Sequence, residues 1–148
     1  MTDKIAKAVE YHQAKFNCSQ SVFTVFGTDF GLSEEDCLKV SCAFGGGMGR
    51  CQYVCGAVTG ALMALGLKYG KGAGDPEEKK LITYAKTREF FDKFTGLHGS
   101  LNCRELLHGL DLNDPDDYAK VREMDLFNTL CEKSYIADAV SITEDLLK

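Results

Sequence analysis

The chain has 148 residues, with 17 lysines and arginines against 22 aspartates and glutamates, so its formal net charge is −5. This length fits one domain with a hydrophobic core of its own, and the acidic balance without a basic cluster argues against nucleic acid as a partner. The amino terminus lacks the apolar run of a secretory signal, which predicts a cytoplasmic protein.

Seven cysteines are present, an odd number for a chain of this size. Secreted domains use cysteines in even sets as disulfides, whereas repeated cysteine in a reducing compartment indicates metal binding, redox chemistry or burial. Cysteine is also among the most frequently buried residues, so some of the seven are expected to be packing residues.

The first third of the chain predicts three helices, over residues 2–15, 18–27 and 34–43. The second begins at the sequence Asn17-Cys18-Ser19-Gln20. Asn17 is a favoured helix N-cap, and Gln20 three residues later completes a capping box. This arrangement puts Cys18 at the first helical position.

The stretch from Ala43 to Gly70 is the most distinctive part of the sequence. A glycine-rich turn, GGGMG, precedes a predicted central helix from Arg50 to Tyr69, in which Cys51 and Cys55 would share a face. Glycine inside a helix costs about 1 kcal/mol relative to alanine. The small residues Gly56, Gly60 and Ala64 therefore indicate close approach of another backbone or of a bound group.

Two other interpretations of this stretch fail on length and spacing. Its apolar part, residues 54–67, is shorter than the roughly 20 residues of a membrane span, so no span is predicted. The glycines are not followed by G-K-[ST] and do not fit G-x-G-x-x-G, which argues against a nucleotide site.

The remainder of the chain also predicts helices. Asp75-Pro76 begins one that ends near His98, with a buried side at Leu81, Tyr84, Ala85, Arg88, Phe91 and Phe94. Asp114-Pro115 begins another, with an apolar stripe at Val121, Met124, Phe127, Cys131 and Tyr135, and Ser141 caps a last short helix. No strand pattern occurs. The prediction is an all-α single domain, an irregular bundle of six to seven helices around the glycine-rich helix.

The segment Asn102-Cys103-Arg104-Glu105 repeats the capping pattern around Cys18. The N–H groups and the positive dipole end at a helix start stabilise a thiolate and lower its pKa. Cys18 and Cys103 are thus predicted to be the most acidic thiols, against the alternative that both merely pack at helix starts. His98 and His108 each lie five residues from Cys103, although His98 also suits a helix C-terminus.

Taken together, Cys18, the segment Cys55-Gly56-Ala57-x-x-Gly60, Cys103 and Cys131 resemble the redox-active family called C_GCAxxG_C_C. The resemblance covers nearly the whole chain. It implies a small protein with four signature cysteines, and related sequence occurs as an iron–sulfur-binding module attached to some cytochromes. Cys37, Cys42 and Cys51 lie outside the signature, and Cys51 becomes a candidate resolving thiol.

Three functions remain open at this point. The four signature cysteines could act as catalytic thiols that exchange disulfides with an unidentified redox partner. They could instead ligate an iron–sulfur cluster as the cofactor, with Gly56 and Gly60 leaving room for it. Zinc is less favoured, because Cys51-x₃-Cys55 is the nearest approach to the close cysteine pairs typical of structural zinc sites. The third alternative is a helical binding module without chemistry. Both chemical alternatives predict that the four cysteines converge on one pocket.

Overall fold

The chain folds into eight α-helices and forms no β-sheet in a computed structural model that describes residues 1–148. The helices are α1 (Asp3–Gln13), α2 (Cys18–Gly27), α3 (Glu34–Ser41), α4 (Gly56–Tyr69), α5 (Glu78–His98), α6 (Cys103–Leu106), α7 (Pro115–Glu123) and α8 (Ala137–Leu146). A short 3₁₀ turn, Cys42–Phe44, follows α3, and a π-helix, Phe127–Ile136, leads directly into α8. The predicted all-α class is confirmed.

Helices α2 and α4 form the centre of the fold, and glycine lets them approach closely. A Cβ built on Gly60 would lie 2.8 Å from the carbonyl oxygen of Ser19 and 3.1 Å from the backbone nitrogen of Phe23, both in α2. A Cβ on Gly56 would lie 2.9 Å from the Ser19 nitrogen. These two glycines therefore allow the backbone of α2 to approach α4 closely. Close approach of another backbone was one of the two explanations predicted for the small residues of this helix.

The predicted start of the central helix is wrong. Residues 50–55 are not helical, and α4 begins at Gly56. Arg50 and Gln52 adopt φ angles of +61° and +58°, which a right-handed helix does not accommodate. Cys51 is consequently exposed while Cys55 is buried, so the two do not share a helix face as predicted.

The positive φ angles continue through the loop before this segment. Gly46, Gly47, Met48 and Gly49 have φ between +59° and +71°, so with Arg50 they make five consecutive left-handed residues. Glycine adopts this conformation without a steric penalty. At Gly47 the missing side chain is also needed for space, because a Cβ would lie 2.6 Å from the Cα of Gln52.

The predicted stripe from Val121 to Tyr135 is interrupted. Helix α7 ends at Glu123, and Asp125 has a φ of +56°. Met124 is 56% exposed, contrary to its predicted place on the buried face. After this break the backbone continues as a π-helix, a rare conformation that occurs frequently at functional sites.

Two further predictions about helix faces and ends are corrected. In α5 the buried residues are Phe90 and Phe94, whereas Leu81 and Tyr84 are at least half exposed. Ser141 lies inside α8 and does not cap a separate helix. Among the helices, none has the length and apolar content required to cross a membrane.

Candidate functional site

All four signature cysteines line one cavity of about 670 Å³. Cys55, Cys103 and Cys131 are buried, and Cys18 is only partly buried. None of the seven cysteines forms a disulfide. The predicted convergence of Cys18, Cys55, Cys103 and Cys131 is therefore present in the fold, although they lie on four different segments of the chain.

Cys18 is held by the start of α2. The side chain of Asn17 accepts a hydrogen bond from the Gln20 nitrogen at 3.0 Å, and the Gln20 side chain accepts one from the Asn17 nitrogen at 2.9 Å. This capping box is the predicted one. A Cβ on Gly56 would lie 3.1 Å from the Cβ of Cys18, so the same glycine that packs the helices also brings Cys18 next to the start of α4.

Cys55 and Cys103 are held together by a single antiparallel β-bridge between Val54 and Asn102. The Cys55 nitrogen donates to the Leu101 oxygen at 2.8 Å, and the Cys103 nitrogen donates to the Tyr53 oxygen at 2.7 Å. Backbone hydrogen bonds thus fix the separation of two segments that lie far apart in the sequence. Cys103 opens α6, which is only four residues long.

Cys131 and its neighbours come from the π-helix. Cys131 and Tyr135 both line the cavity, and the Tyr135 hydroxyl donates to the Leu106 oxygen at 2.5 Å. Burial, and then the nearby thiols, raise the pKa of Tyr135 to about 12. Tyr135 therefore remains protonated and acts as a fixed hydrogen-bond donor behind the cysteines.

A histidine and a glutamate complete the arrangement around Cys18. The Nδ1 atom of His12 lies 3.0 Å from Oε1 of Glu132, a buried carboxylate on the π-helix. Cys131 and His12 are also the side-chain neighbours that shift the pKa of the Cys18 thiol, Cys131 raising it and His12 lowering it. Glu132, His12, Cys18 and Cys131 are therefore neighbours in one polar cluster.

The pKa of His12 reflects these contacts. Burial lowers it, but the hydrogen bonds and charges of Cys18 and Glu132 outweigh burial, so the pKa lies above the ordinary 6.5. An imidazole with a carboxylate on one side and a thiol on the other is suited to take the thiol proton and to remain paired with the thiolate.

The prediction that Cys18 and Cys103 are acidic thiols is wrong in direction. The hydrogen bond with Cys131, followed by burial, raises the pKa of Cys18 well above its ordinary value, although His12 acts in the opposite sense. Burial, with the nearby Cys18, raises the pKa of Cys103 to about 12. Loss of solvent at these two sites exceeds the stabilisation that a helix start provides.

The start of α6 gives a second reason why Cys103 is not an acidic thiol. The Asn102 side chain does not cap the helix and instead donates to Oε1 of Glu105 at 3.0 Å. At Cys55, too, burial raises the pKa, and the N–H groups of Ala57 and Val58 at the start of α4 oppose this only in part.

Several candidates from the sequence lie outside the site. Gly60 faces α2 and does not line the cavity, whereas Gly56 does. Cys51 is exposed. His98 pairs with Asp138 at 2.8 Å, and His108 is exposed; neither lines the cavity. The histidine that does reach a cysteine, His12, was not among the candidates, because its partner Glu132 is 120 residues away.

The cysteines are not arranged for one metal ion. Nowhere in the structure do three or more histidine, cysteine or carboxylate side chains form a group that could hold one. An iron–sulfur cluster places different demands on a site, because its four cysteine ligands surround several metal atoms. The number and kind of donors lining the cavity fit such a cluster.

Fold and site together define a small all-α protein whose four distant cysteines share one cavity with His12, a histidine paired with the buried Glu132. The sequence model of the family described as "Putative redox-active protein (C_GCAxxG_C_C)" matches residues 16–146. The chain belongs to this family.

One relative is similar to this chain over nearly its whole length. A protein of Archaeoglobus fulgidus described as "Uncharacterized protein" is 30% identical over 149 residues, which cover 96% of this chain and 91% of the relative. No solved structure matches the chain.

Proposed function

We propose that this protein carries out thiol–disulfide exchange, with Cys18 and Cys131 as the reacting pair. The observation that carries the proposal is that both thiols and the imidazole of His12 line one cavity open to a small molecule, where Cys131 is the neighbour with the largest effect on the pKa of Cys18. Cys18 is the least buried residue of the four signature cysteines, and we assign its sulfur as the one that attacks an incoming disulfide.

The chemistry begins with a proton transfer from Cys18 to His12. Because the raised pKa keeps Cys18 protonated, a base beside it is needed, and the thiolate is the reacting form. The Cys18 thiolate attacks one sulfur of a disulfide substrate, forms a mixed disulfide and releases the other sulfur as a thiolate, which takes up the proton held by His12. Cys131 then attacks the Cys18 sulfur and releases the second substrate sulfur as a thiolate, to which the Cys131 proton passes.

The result balances as a two-electron exchange. The protein dithiol is oxidised to a Cys18–Cys131 disulfide, and the substrate disulfide is reduced to two thiols. Glu132 supports this step by holding the Nδ1 side of His12 at 3.0 Å, which orients the ring toward Cys18 and stabilises the imidazolium that forms. A dithiol donor would reduce the protein again by the reverse reaction.

Disulfide mapping of the oxidised protein tests this function. Reduced protein is treated without oxygen with bis(2-hydroxyethyl) disulfide, its remaining thiols are alkylated, and its peptides are examined by mass spectrometry. We expect a Cys18–Cys131 disulfide, a mixed disulfide trapped on Cys18 in Cys131→Ser, and slower oxidation in His12→Gln. Cys51→Ser, at an exposed cysteine outside the cavity, is the matched control. Oxidation that leaves Cys18 and Cys131 as free thiols would contradict the proposal.

A second candidate is cluster binding, and the shared cavity is the observation that favours it. The four ligands would be Cys18, Cys55, Cys103 and Cys131, and the cluster would supply one-electron transfer. The backbone N–H groups of Ala57 and Val58 at the start of α4 can donate to the sulfur of Cys55, whereas those of Met48 to Tyr53 already donate to backbone carbonyls. The effect of the Cys131 thiol on the pKa of Cys18 favours the thiol pair, because it links these two of the four cysteines directly.

Metal analysis distinguishes the two candidates. Protein purified without oxygen is assayed for iron, acid-labile sulfide and visible absorbance. Bound iron and sulfide in near-equal amounts, lost in each of the four Cys→Ser variants and retained in Cys51→Ser, would favour the cluster. Colourless protein free of iron and sulfide, even after incubation with iron and sulfide under reducing conditions, would reject it.

A further inference from the structure

The wall of the cysteine cavity carries an excess of positive charge, although the whole chain has a net charge of −5. Lys15, Arg50 and Arg122 all line it, and the carboxylate that does so is Asp125. Asp125 already accepts a hydrogen bond from the Asn128 side chain at 2.8 Å. The fixed charges of this wall are therefore opposite in sign to those of the protein as a whole.

The two arginines meet at one aromatic ring. The guanidinium carbon of Arg50, at the end of the glycine-rich loop, lies 5.7 Å from the centre of the Tyr118 ring, and that of Arg122, on α7, lies 5.9 Å from it. Tyr118 lines the cavity as well. A guanidinium that rests on an aromatic face keeps its N–H groups free for a ligand.

Neither arginine is neutralised by the protein. The salt bridges of the structure use lysine or histidine, and none involves Arg50 or Arg122. Arg50 is also held in place by its backbone, since its φ is +61° and its carbonyl oxygen accepts a hydrogen bond from the Asn113 side chain at 2.8 Å. Two unpaired guanidinium groups, both on exposed residues, thus line the same cavity as the reactive thiols.

Resting on the proposed thiol–disulfide function, we infer that the substrate is a small anionic disulfide whose carboxylate is bound by Arg50 and Arg122 while its sulfurs reach Cys18. A guanidinium group binds a carboxylate through two parallel hydrogen bonds, which fixes orientation as well as charge. The volume of about 670 Å³ lies within the range of cavities that hold small molecules, roughly 300–1,000 Å³.

A series of three disulfides of similar size tests the charge preference. The probes are 3,3′-dithiodipropionate, which is anionic, bis(2-hydroxyethyl) disulfide, which is neutral, and cystamine, which is cationic. The second-order rate of Cys18 oxidation is divided by the rate of each probe with 2-mercaptoethanol, which removes differences in intrinsic reactivity. We expect the anionic probe to be preferred over the neutral one by about tenfold, within the range reported for electrostatic steering, and the preference to fall as salt is added.

Matched variants assign the preference to the two arginines. The double variant Arg50→Gln/Arg122→Gln is expected to lose most of the preference for the anion while its rate with the neutral probe stays within about twofold, as expected when a charge outside the reacting atoms is removed. The double variant Arg50→Lys/Arg122→Lys keeps both positive charges and should therefore retain part of the preference for the anionic probe. Arg88→Gln, an exposed arginine of α5 away from the cavity, is the control and should behave as the wild type.

A ligand without sulfur separates this inference from the proposed function. Suberate matches the length of 3,3′-dithiodipropionate but contains no disulfide, and 1,8-octanediol is its uncharged counterpart. Calorimetry should show suberate binding that the Gln double variant loses and octanediol does not reproduce. If suberate binds in this way and no disulfide reacts, the result supports the anion site and contradicts the exchange function. Equal corrected rates with all three disulfides, together with no suberate binding, would overturn the inference and leave the exchange function intact.

Discussion

The substitution Gly60→Ala tests whether the stability of the protein depends on the close packing of α2 against α4. The new methyl group would lie 2.8 Å from the Ser19 oxygen and 3.1 Å from the Phe23 nitrogen. Both are backbone atoms, so the helices must move apart. Overpacking of this kind costs about 1–3 kcal/mol, whereas alanine gains about 1 kcal/mol of helix propensity over glycine. Because backbone atoms are involved, we expect an overpacking cost in the upper part of its range, about 2–3 kcal/mol. After the gain in helix propensity is subtracted, the free energy of unfolding should fall by about 1–2 kcal/mol.

The same helix offers a matched control. Gly66 is also in α4, and a Cβ built there meets nothing within 4 Å. Gly66→Ala should therefore raise the free energy of unfolding by about 0.4–1 kcal/mol. Both variants are compared with the wild type by urea denaturation under reducing conditions, followed by circular dichroism. If Gly60→Ala stabilised the protein as much as Gly66→Ala, the close-packing argument for Gly60 would be refuted.

The remaining predictions concern the loop and the ionisable groups of the metal-free protein. Gly47→Ala should lower the urea midpoint more than Gly49→Ala. Both positions have positive φ angles, +71° and +59°, but only at Gly47 would the new Cβ also lie 2.8 Å from the Cβ of Cys103. Alkylation of Cys103 by iodoacetamide, followed by mass spectrometry, should be slow at neutral pH and accelerate towards its pKa of about 12; a plateau below pH 9 would contradict this. Proton NMR should show His12 titrating above 6.5, and at a lower pH in Glu132→Gln, because loss of the carboxylate leaves burial, which lowers the pKa, less opposed.

The His12 prediction has a consequence for stability. Because the folded-state pKa is raised, the protonated imidazole stabilises the fold fully below the unfolded value near 6.5, and this contribution is lost as the pH rises through the folded-state pKa. The free energy of unfolding of the wild type should therefore fall across that interval more than that of Glu132→Gln. Parallel pH profiles for the two proteins would show that Glu132 does not hold the charge.

The cavity owes its chemistry to contacts between distant segments. Cys18 and Cys131 come from α2 and the π-helix, and Cys55 and Cys103 are joined by one β-bridge. Within each of these segments the sequence carries no information about the separation of the sulfurs. Only the packing of the helices decides that the four thiols line one cavity.

What the sequence determined by itself is local. The helix class follows from apolar spacing, and the capping box at Asn17 and Gln20 forms as predicted because its atoms lie within four residues of one another. The motif also identified the four cysteines of the cavity. The helices and the cap depend on neighbours in the chain, so no knowledge of the fold was needed for them, whereas the cysteines were identified by resemblance to a family.

What only the tertiary structure decided depends on burial and on distant partners. The pairing of His12 with Glu132 spans 120 residues, and no local pattern predicts it. The acidity of Cys18 and Cys103 was predicted from helix dipoles alone, yet burial and neighbouring thiols raise both pKa values. Loss of solvent acts on a thiolate more strongly than the end of a short helix, and how much solvent a residue loses is set by the whole fold.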